Sequence, residues 1–295
     1  MRKRRFLWLL SGSVIFLLVF LGGYGLLIRG RPAPVPTKRR LYEGVTYFRQ
    51  VRFLPHPAIA HVIKIDTQKS GLRLLVTPPD FDDGPPLQAR TTSQFLQAFN
   101  LQIAINGDGF YPWWSHGPFD YYPHPGDRVT PNGFSASGGK IYTQGLADKN
   151  VQKPTLYISR RNHLSFNNRP SRVFHALSGD RMLVEKGESV PGLDDSALEP
   201  RTAIGINRNG RWLFLTVVDG HQPFYSQGVT FKELADILKE NGAYFAMALD
   251  GGGSSTLVIE DPVSGKPLIL NSPIDQYVPG RERAVANHLG IFIEK

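Results

Sequence analysis

The chain has 295 residues, with 34 Lys and Arg, 25 Asp and Glu, a formal net charge of +9 and no cysteine. Nine of the basic residues lie within residues 1–40, which contain no acidic residue, so the other 25 basic residues balance the 25 acidic ones. No basic face for nucleic acid is therefore expected outside the amino-terminal segment. The lack of cysteine excludes disulfides, thiolate metal sites and cysteine nucleophiles.

The amino-terminal segment is apolar enough to cross a membrane. Residues 6–28 form an uncharged run of 23 residues, long enough for a helix that spans a bilayer. Basic residues precede this run, which favours a cytoplasmic amino terminus and an extracytoplasmic or periplasmic domain, although others follow it. We predict a single-pass anchor over 6–28 within residues 1–40, which end in a Pro- and Arg-rich spacer, and one domain over residues 41–295. The alternative is a signal peptide cleaved near Gly23-Tyr24-Gly25, which would release a secreted protein.

A strand followed by an aromatic loop is predicted next. The apolar residues 101–105 predict a strand that ends in Asn106-Gly107-Asp108-Gly109-Phe110. Seven aromatic residues then occur between residues 110 and 122, in a segment too rich in proline and glycine for regular structure. Aromatic faces of this kind suit sugar rings. Self-packing of the loop over a core edge is the alternative.

A β-hairpin is predicted around residue 209. Asn209-Gly210 lies between the apolar runs 202–207 and 212–218, which is typical of a two-residue hairpin turn. In this register residue 208 faces residue 211, and Arg201 faces residue 218. We therefore expect Arg201 to lie at the same end of the sheet as Asp219.

A helix and a further strand follow the hairpin. Thr230 and Glu233 have the spacing of a capping box, apolar residues then recur at helical spacing, Gly242 is a stop signal, and residues 244–249 predict a buried strand. A strand, a helix and a strand form a crossover whose two strands run parallel. The predicted fold class is α+β: a mixed β-sheet core with flanking helices, a β-hairpin and a βαβ crossover, preceded by one transmembrane helix.

The strand over residues 244–249 ends in a carboxylate followed by a glycine-rich turn, Asp250-Gly251-Gly252-Gly253-Ser254-Ser255-Thr256. Such a turn can hold an anion on backbone N–H groups next to a carboxylate. It lacks the lysine of a Walker loop and leads into a strand, so it is not a nucleotide-binding loop of that kind. Arg201, Asp219 and Asp250 are thus predicted to share one edge of the sheet. A flexible turn without chemistry and a structural Arg201–Asp219 ion pair are the alternatives.

Several segments together resemble the phosphodiester glycosidases, the family of the N-acetylglucosamine-1-phosphodiester α-N-acetylglucosaminidases. They come in the family's order and cover nearly all of residues 41–295. The segments are Ile105-Asn106-Gly107-Asp108-Gly109-Phe110, Ser178-Gly179 to Leu183-Val184, Pro200-Arg201-Thr202-Ala203-Ile204-Gly205, Val218-Asp219-Gly220, Leu249-Asp250 to Thr256, and Val285-Ala286-Asn287-His288-Leu289. The family usually reads Asn-Gly-Gly-Phe-Phe in the first segment, where this chain has Asp108.

The resemblance implies hydrolysis of a sugar 1-phosphodiester, such as an N-acetylglucosamine 1-phosphodiester, in an extracytoplasmic glycan or glycolipid. Arg201 and the N–H groups of Gly251 to Ser254 would bind the phosphate, while Asp250 and Asp219 would act at the anomeric carbon as base, nucleophile or stabiliser of an oxocarbenium ion. Asn106 and Asn287 would bind sugar hydroxyls or the acetamido group. The predicted substrate-binding residues are Asn106, Asp108, Gly251, Gly252, Gly253, Ser254, Ser255, His221 and Asn287.

Three alternatives stay open at this point. A divalent cation could be held by Asp108, Asp219 and Asp250, whereas no other cofactor is indicated. The protein could be a non-catalytic, membrane-anchored binder of phosphorylated surface polysaccharide, which would need the same phosphate donors. A phosphodiesterase that attacks phosphorus with two metals would require clustered His and Asp ligands, a spacing that the sequence lacks.

Overall fold

The computed structural model describes residues 2–117, 119–145 and 153–294, without the side chains of residues 2–12, 20 and 27. Within those ranges the chain is mostly β-sheet. The helices are α1 (Arg2–Leu27), α2 (Thr92–Ala98) and α3 (Phe231–Glu240), with short 3-10 helices at Ile28–Gly30, Gly252–Ser254 and Asp275–Tyr277. The strands are β1 (Thr37–Tyr42), β2 (Val45–Arg52), β3 (Ala58–Asp66), β4 (Leu72–Val76), β5 (Leu87–Gln88), β6 (Ile103–Asn106), β7 (Phe110–Tyr111), β8 (Trp114–Gly117), β9 (Asp120–Tyr122), β10 (Arg128–Pro131), β11 (Phe134–Ser137), β12 (Lys140–Gln144), β13 (Thr155–Ile158), β14 (Leu164–Phe166), β15 (His175–Ser178), β16 (Arg181–Glu185), β17 (Glu188–Ser189), β18 (Arg201–Ile206), β19 (Trp212–Val218), β20 (Phe245–Ala248), β21 (Leu257–Glu260), β22 (Pro267–Ile269) and β23 (His288–Ile293).

The amino-terminal helix α1 matches the predicted apolar segment. Among the described residues it supplies the one stretch, Ser13–Gly30, that is long and apolar enough to cross a membrane, with a mean hydropathy of 1.9. The basic side chains predicted to precede the anchor lie outside the described ones. The predicted spacer does not extend to residue 40, because β1 begins at Thr37 and pairs with β2.

The first sheet has eight strands in the order β1-β2-β3-β19-β18-β20-β16-β17. β18 and β19 form an antiparallel hairpin in which Arg201 lies opposite Val218, the register that the Asn209-Gly210 turn predicts. β20 pairs with the other side of β18, again antiparallel. β19 and β20 therefore run parallel with β18 between them. Both end where β18 begins, in the row of strand ends that is called the sheet edge below.

Two five-stranded sheets cover one face of this first sheet. Their orders are β22-β21-β6-β23-β4 and β12-β11-β15-β13-β14. Side chains from all three sheets form one continuous apolar core, including Ile63, Ile105, Leu177 and Leu215, all of which are buried. The layered arrangement brings the end of β6 next to the end of β20.

The helix α3 covers the opposite face of the first sheet. Thr230 caps it, since the Thr230 hydroxyl accepts from the Glu233 N–H at 3.1 Å and the Thr230 N–H donates to the Glu233 carboxylate at 2.9 Å. Leu234 and Leu238 are buried against the sheet. This helix connects β19 to β20 and thereby sets which two strand ends share an edge.

Candidate active site

Hydrogen bonds between two sheets fix the turn that carries Asp250. The Asp250 N–H donates to the carbonyl of Gly107, which follows β6, at 2.9 Å. The Asn106 amide donates to the Asp250 carbonyl at 2.8 Å and accepts from the Thr202 hydroxyl at 3.0 Å and the Thr256 N–H at 3.1 Å. Asn106 is fully buried. It therefore positions the Asp250 turn, and its contact with a sugar stays a prediction.

Two glycines of the turn lie against neighbouring chain segments. A Cβ on Gly251 would lie 2.9 Å from the carbonyl oxygen of Pro200. A Cβ on Gly253 would lie 2.5 Å from the guanidinium of Arg283. A larger residue at position 251 would displace backbone, whereas one at position 253 would displace the Arg283 side chain, so both glycines serve close packing.

The same turn uses some of its own N–H groups. The Gly252 N–H donates to the Pro200 carbonyl at 2.8 Å, and the Ser254 N–H donates to the Gly251 carbonyl at 3.2 Å. Ser255 is 2% exposed and lies beneath the surface. Two of the four predicted phosphate donors are therefore occupied within the protein, and the Ser255 hydroxyl does not face solvent. The N–H groups of Gly251 and Gly253 are the remaining predicted donors, and their contact with a phosphate stays a prediction.

A cleft of about 680 Å³ opens at the edge where β20 ends and β18 begins. Its volume lies within the range of roughly 300–1,000 Å³ that is usual for small-molecule sites. Several separate chain segments contribute charged side chains to it. The lining residues are Gly109, Asn132, Lys153, Asp180, Arg181, Asp194, Ala197, Glu199, Arg201, Phe231, Leu249, Asp250, Gly251 and Gly252.

Arg201 and Asp250 bring opposite charges into this cleft without pairing to other charges. The Arg201 guanidinium donates to the carbonyls of Val229 at 3.2 Å and Ala197 at 3.1 Å, and it lies 3.7 Å from the centre of the Phe231 ring. Within the described part of the chain, neither Arg201 nor Asp250 forms an ion pair. A guanidinium held in place by neutral groups is available to an incoming anion.

The protonation of Asp250 reflects its position at the floor of the cleft. Burial raises the pKa of its carboxyl group, while a hydrogen bond with Ser254 and the positive charges of Arg283 and Lys153 oppose that rise. A carboxyl group in such surroundings binds its proton more tightly than one in water. Once ionised, Asp250 can act as a base or nucleophile towards a group bound in the cleft.

Asp108 lies behind the cleft. It is 1% exposed and accepts hydrogen bonds from the Gly133 N–H at 2.6 Å and from Lys153 Nζ at 2.9 Å. Burial raises the pKa of Asp108 to about 6, against the opposing effects of Lys153 and Gly133, and the charge of Asp250 adds to the rise. Asp108 thus holds Lys153, which lines the cleft, and its own oxygens face protein donors. A direct contact of Asp108 with the substrate stays a prediction.

Asp219 lies apart from the cleft although it ends the neighbouring strand. Its carboxylate accepts from the Ser272 N–H at 2.7 Å and the Asn271 amide at 3.2 Å, and it lies 2.9 Å from His61 Nε2. The side chains of Asp219 and His61 are fully inaccessible. The carboxylate of Asp219 therefore does not reach the cleft in this structure, and its action on a substrate stays a prediction. The alternative Arg201–Asp219 ion pair is also absent from the described residues.

His221 and Asn287 occupy different positions relative to the cleft. His221 Nε2 lies 2.7 Å from the carboxylate of Glu199. Glu199 lines the cleft, so His221 contacts a lining residue. Asn287 is fully buried, and its amide accepts from the Asp108 N–H at 2.9 Å and donates to the Ser135 hydroxyl at 3.3 Å. Asn287 consequently positions the Asp108 segment, and its contact with a sugar stays a prediction.

The three carboxylates considered for a divalent cation do not converge. Asp219 is enclosed by its own donors, and Asp108 is paired with Lys153. Among the described residues, no group of three or more His, Asp or Glu side chains is arranged to hold a metal ion. The described residues therefore give no support to the alternative of one cation shared by Asp108, Asp219 and Asp250.

Sequence reasoning missed five charged residues of the cleft, Lys153, Asp180, Arg181, Asp194 and Glu199. Asp180 and Arg181 had a signal, because they follow a glycine and begin a strand. β16 then pairs with β20, with Arg181 opposite Ala248, and this brings both residues to the cleft. Nothing in the sequence near Lys153 predicts its place in the cleft, because its partner Asp108 is 45 positions away in the sequence.

The aromatic segment forms a small hairpin, β8 and β9, beside the glycine turn. Trp113 is 49% exposed and Phe119 is 94% exposed, so aromatic faces are available to a ligand. The Arg283 guanidinium lies 5.3 Å from the centre of the Trp113 ring and hydrogen-bonds the Ser254 hydroxyl at 3.3 Å. Trp114 also stacks on neighbouring rings. The segment thus combines self-packing with exposed faces, and its contact with sugars stays a prediction.

Comparisons with known proteins agree with this architecture. The family model of the phosphodiester glycosidases matches residues 93–292, more than half of the chain. No curated protein sequence matches it. The fold is similar to the zebrafish N-acetylglucosamine-1-phosphodiester alpha-N-acetylglucosaminidase catalytic domain, solved in a form auto-inhibited by its pro-peptide, with 19% identity and a TM-score of 0.60 over 89% of this chain and 85% of that one. It is also similar to a hypothetical protein from Synechocystis, with 16% identity and a TM-score of 0.53 over 89% of this chain and 64% of that one.

Proposed function

This chain belongs to the phosphodiester glycosidase family, and we propose that it hydrolyses a sugar 1-phosphodiester at the glycosidic bond, releasing a free sugar and a phosphomonoester. The observation that carries the proposal is the pair of unpaired opposite charges, Arg201 and Asp250, in one cleft. A cation stabilises the negative charge of a phosphate as it leaves. A carboxylate can attack the anomeric carbon or activate the water that attacks it. An N-acetylglucosamine 1-phosphodiester is the first substrate to test, because the similar zebrafish enzyme carries that name.

In the proposed reaction, Arg201 binds the phosphate as a fork of two N–H groups and neutralises the charge that develops as the phosphate leaves. Lys153, held by Asp108, supplies a second positive charge at the cleft. Asp250 acts at the anomeric carbon, either by attacking it or by taking a proton from the attacking water. The bond between the anomeric carbon and the phosphate oxygen breaks, and the oxygen of water ends on the sugar.

Hydrolysis in heavy-oxygen water tests which bond breaks. The full-length chain in detergent would be incubated with the sugar phosphodiester, and the sugar would be reduced at once to stop exchange at its anomeric oxygen. We expect the label in the sugar and none in the phosphomonoester. Label in the phosphomonoester would mean attack at phosphorus and would overturn the role of Asp250. Tight binding without any sugar release would favour the non-catalytic binder.

We further propose that α1 is an uncleaved single-pass anchor and that the domain lies outside the cytoplasm. Support comes from the length and composition of Ser13–Gly30. Protease added to intact cells should then remove the domain and leave a membrane-bound fragment. A mature protein that begins after about residue 25 and washes off membranes would instead support cleavage of a signal peptide.

A further inference from the structure

Three large apolar side chains stand exposed in two adjacent loops of the domain. Phe53 is 70% exposed and Leu54 is 85% exposed, and both lie in the loop between β2 and β3. Phe224 is fully exposed, at 103%, in the turn that follows β19. The two loops are joined by a hydrogen bond from the Gln227 N–H to the Pro57 carbonyl at 2.8 Å. Phe53, Leu54 and Phe224 are called the apolar rim below.

The apolar rim lies at the same sheet edge as the cleft. Arg52 is opposite Ala58 across β2 and β3, Val218 is opposite Ala60 across β3 and β19, and Arg201 is opposite Val218. The ends of β2, β19 and the start of β18 therefore share one edge. β2 and β18 are three strand spacings apart, which is about 14 Å. A flat surface that touches the apolar rim would also lie next to the opening of the cleft.

The end of α1 reaches this edge too. The Tyr225 hydroxyl, beside Phe224 in the chain, donates to the carbonyl of Pro32 at 2.9 Å. The Arg31 guanidinium lies between the rings of Tyr24 in α1 and Tyr225 in the domain, 5.6 and 5.3 Å from their centres. Tyrosine and arginine at the end of an apolar helix are typical of the level of the lipid headgroups. The contacts thus place the apolar rim beside the predicted membrane exit of the chain.

We infer that the apolar rim lies in the headgroup layer of the bilayer that α1 spans, so that the cleft opens at the membrane surface. Exposed Phe and Leu side chains at the end of an apolar helix gain free energy by entering the boundary between headgroups and acyl chains. Arg29 and Arg31 would meet anionic headgroups there. The substrate class that fits this orientation is a sugar 1-phosphodiester carried by a lipid. The membrane contact rests on the proposed uncleaved α1 anchor, and this substrate class rests in addition on the proposed hydrolysis.

The lack of cysteine in the chain allows a direct test of the membrane contact. Leu54→Cys and Phe224→Cys would be made singly in the full-length chain, labelled with an environment-sensitive dye and placed in lipid nanodiscs. Arg208→Cys, in the exposed β18–β19 turn at the opposite end of the sheet, is the matched control. With brominated acyl chains, the dyes at positions 54 and 224 should lose most of their emission, and the dye at position 208 should lose none. Equal emission at all three positions would overturn the contact.

The substrate class has a separate test. The double variant Leu54→Ser and Phe224→Ser would be compared with the unaltered chain on two phosphodiesters of the same sugar, one with a long lipid chain in vesicles and one with a short soluble alcohol. We expect a severalfold loss of turnover on the vesicle substrate alone. Equal rates on the vesicle substrate, or equal losses on both, would contradict the orientation. Failure of the unaltered chain to cleave either substrate would contradict the proposed function and leave the dye result standing.

Discussion

Asp219 and Asp250 both end strands that run parallel in the first sheet, yet their carboxylates have different environments. Asp250 is half-buried at the floor of the cleft without an ion pair among the described residues. Asp219 is sealed in the core by Ser272, Asn271 and His61. Placement at a strand end therefore brings a residue to the correct edge but does not decide whether its side chain reaches solvent.

The alternation of side chains along a strand explains the difference. Val218 packs on the side of α3, and Arg201 opposite it contacts Phe231 of that helix. Val217 packs into the core between the sheets, and Asp219, two residues later, points to the same face. Arg201 and Asp219 thus share an edge on opposite faces of one sheet. Val217 and Val218 are both buried, so the burial of the strand alone does not tell which face Asp219 joins, and the position of α3 decides it.

We expect the largest effect on turnover from substitution of Asp250, the aspartate of the two that lines the cleft. Asp250→Asn keeps the size and removes the charge, so turnover should fall at least about a hundredfold, the lower end for a positioned acid, base or nucleophile. Thermal unfolding should stay near that of the unaltered chain. Asp66→Asn, at the far end of the same sheet, is the control and should keep its turnover. Normal turnover in Asp250→Asn would place the chemistry on another cleft carboxylate, such as Asp180.

Substitution of the enclosed Asp219 should lower the stability of the fold and leave turnover almost unchanged. Asp219→Ala leaves three buried donors without an acceptor, and the cost for breaking such a buried pair is about 3–5 kcal/mol. Denaturant unfolding measures this loss, while the kcat of the fraction that remains folded should change little. Unchanged stability with lost turnover would return Asp219 to the reaction and would break the comparison.

The raised pKa of the buried Asp108 carboxyl group predicts that the stability of the fold depends on pH. Its pKa is about 6 in the folded chain and near 3.8 in the unfolded chain, so the folded chain holds the proton more tightly. Below pH 3.8 the more tightly held proton stabilises the folded chain by about 3 kcal/mol. This stabilisation is lost as the pH rises from 3.8 to about 6. Unfolding measured across this range should show the decline, and Asp108→Asn should remove it. An equal decline in both proteins would assign it to another group.

The smallest expected effect concerns the cation at the same strand edge. Arg201→Lys keeps the charge but loses the two-pronged contact with phosphate, so kcat/KM should fall about 10- to 100-fold. Arg181→Lys is the matched comparison, because Arg181 already donates to Asp180 at 2.7 Å, and its effect should be smaller. If both substitutions cost the same, Arg201 is not the principal phosphate ligand.

Local patterns predicted the elements whose partners lie near in the sequence. The Asn209-Gly210 turn gave the register of the hairpin, and the spacing of Thr230 and Glu233 predicted the start of α3. Residues that depend on distant segments were less accessible. The salt bridge between Lys153 and Asp108 joins two loops that are 45 residues apart in the sequence. The Asn106 and Asn287 amides are predicted as ligands because nothing local shows that the core uses them.

The Asn106 amide has a consequence for how the site responds to ligands. It ties the Asp250 carbonyl to β18 through Thr202 and to β21 through Thr256, so the carboxylate is in place before any ligand arrives. Such preorganisation lowers the reorganisation energy of the reaction. Adjustment to different sugars then falls to the surrounding loops, such as residues 110–122. Selection for a new sugar should accordingly accumulate substitutions in those loops and leave Asn106, Thr202 and Thr256 unchanged.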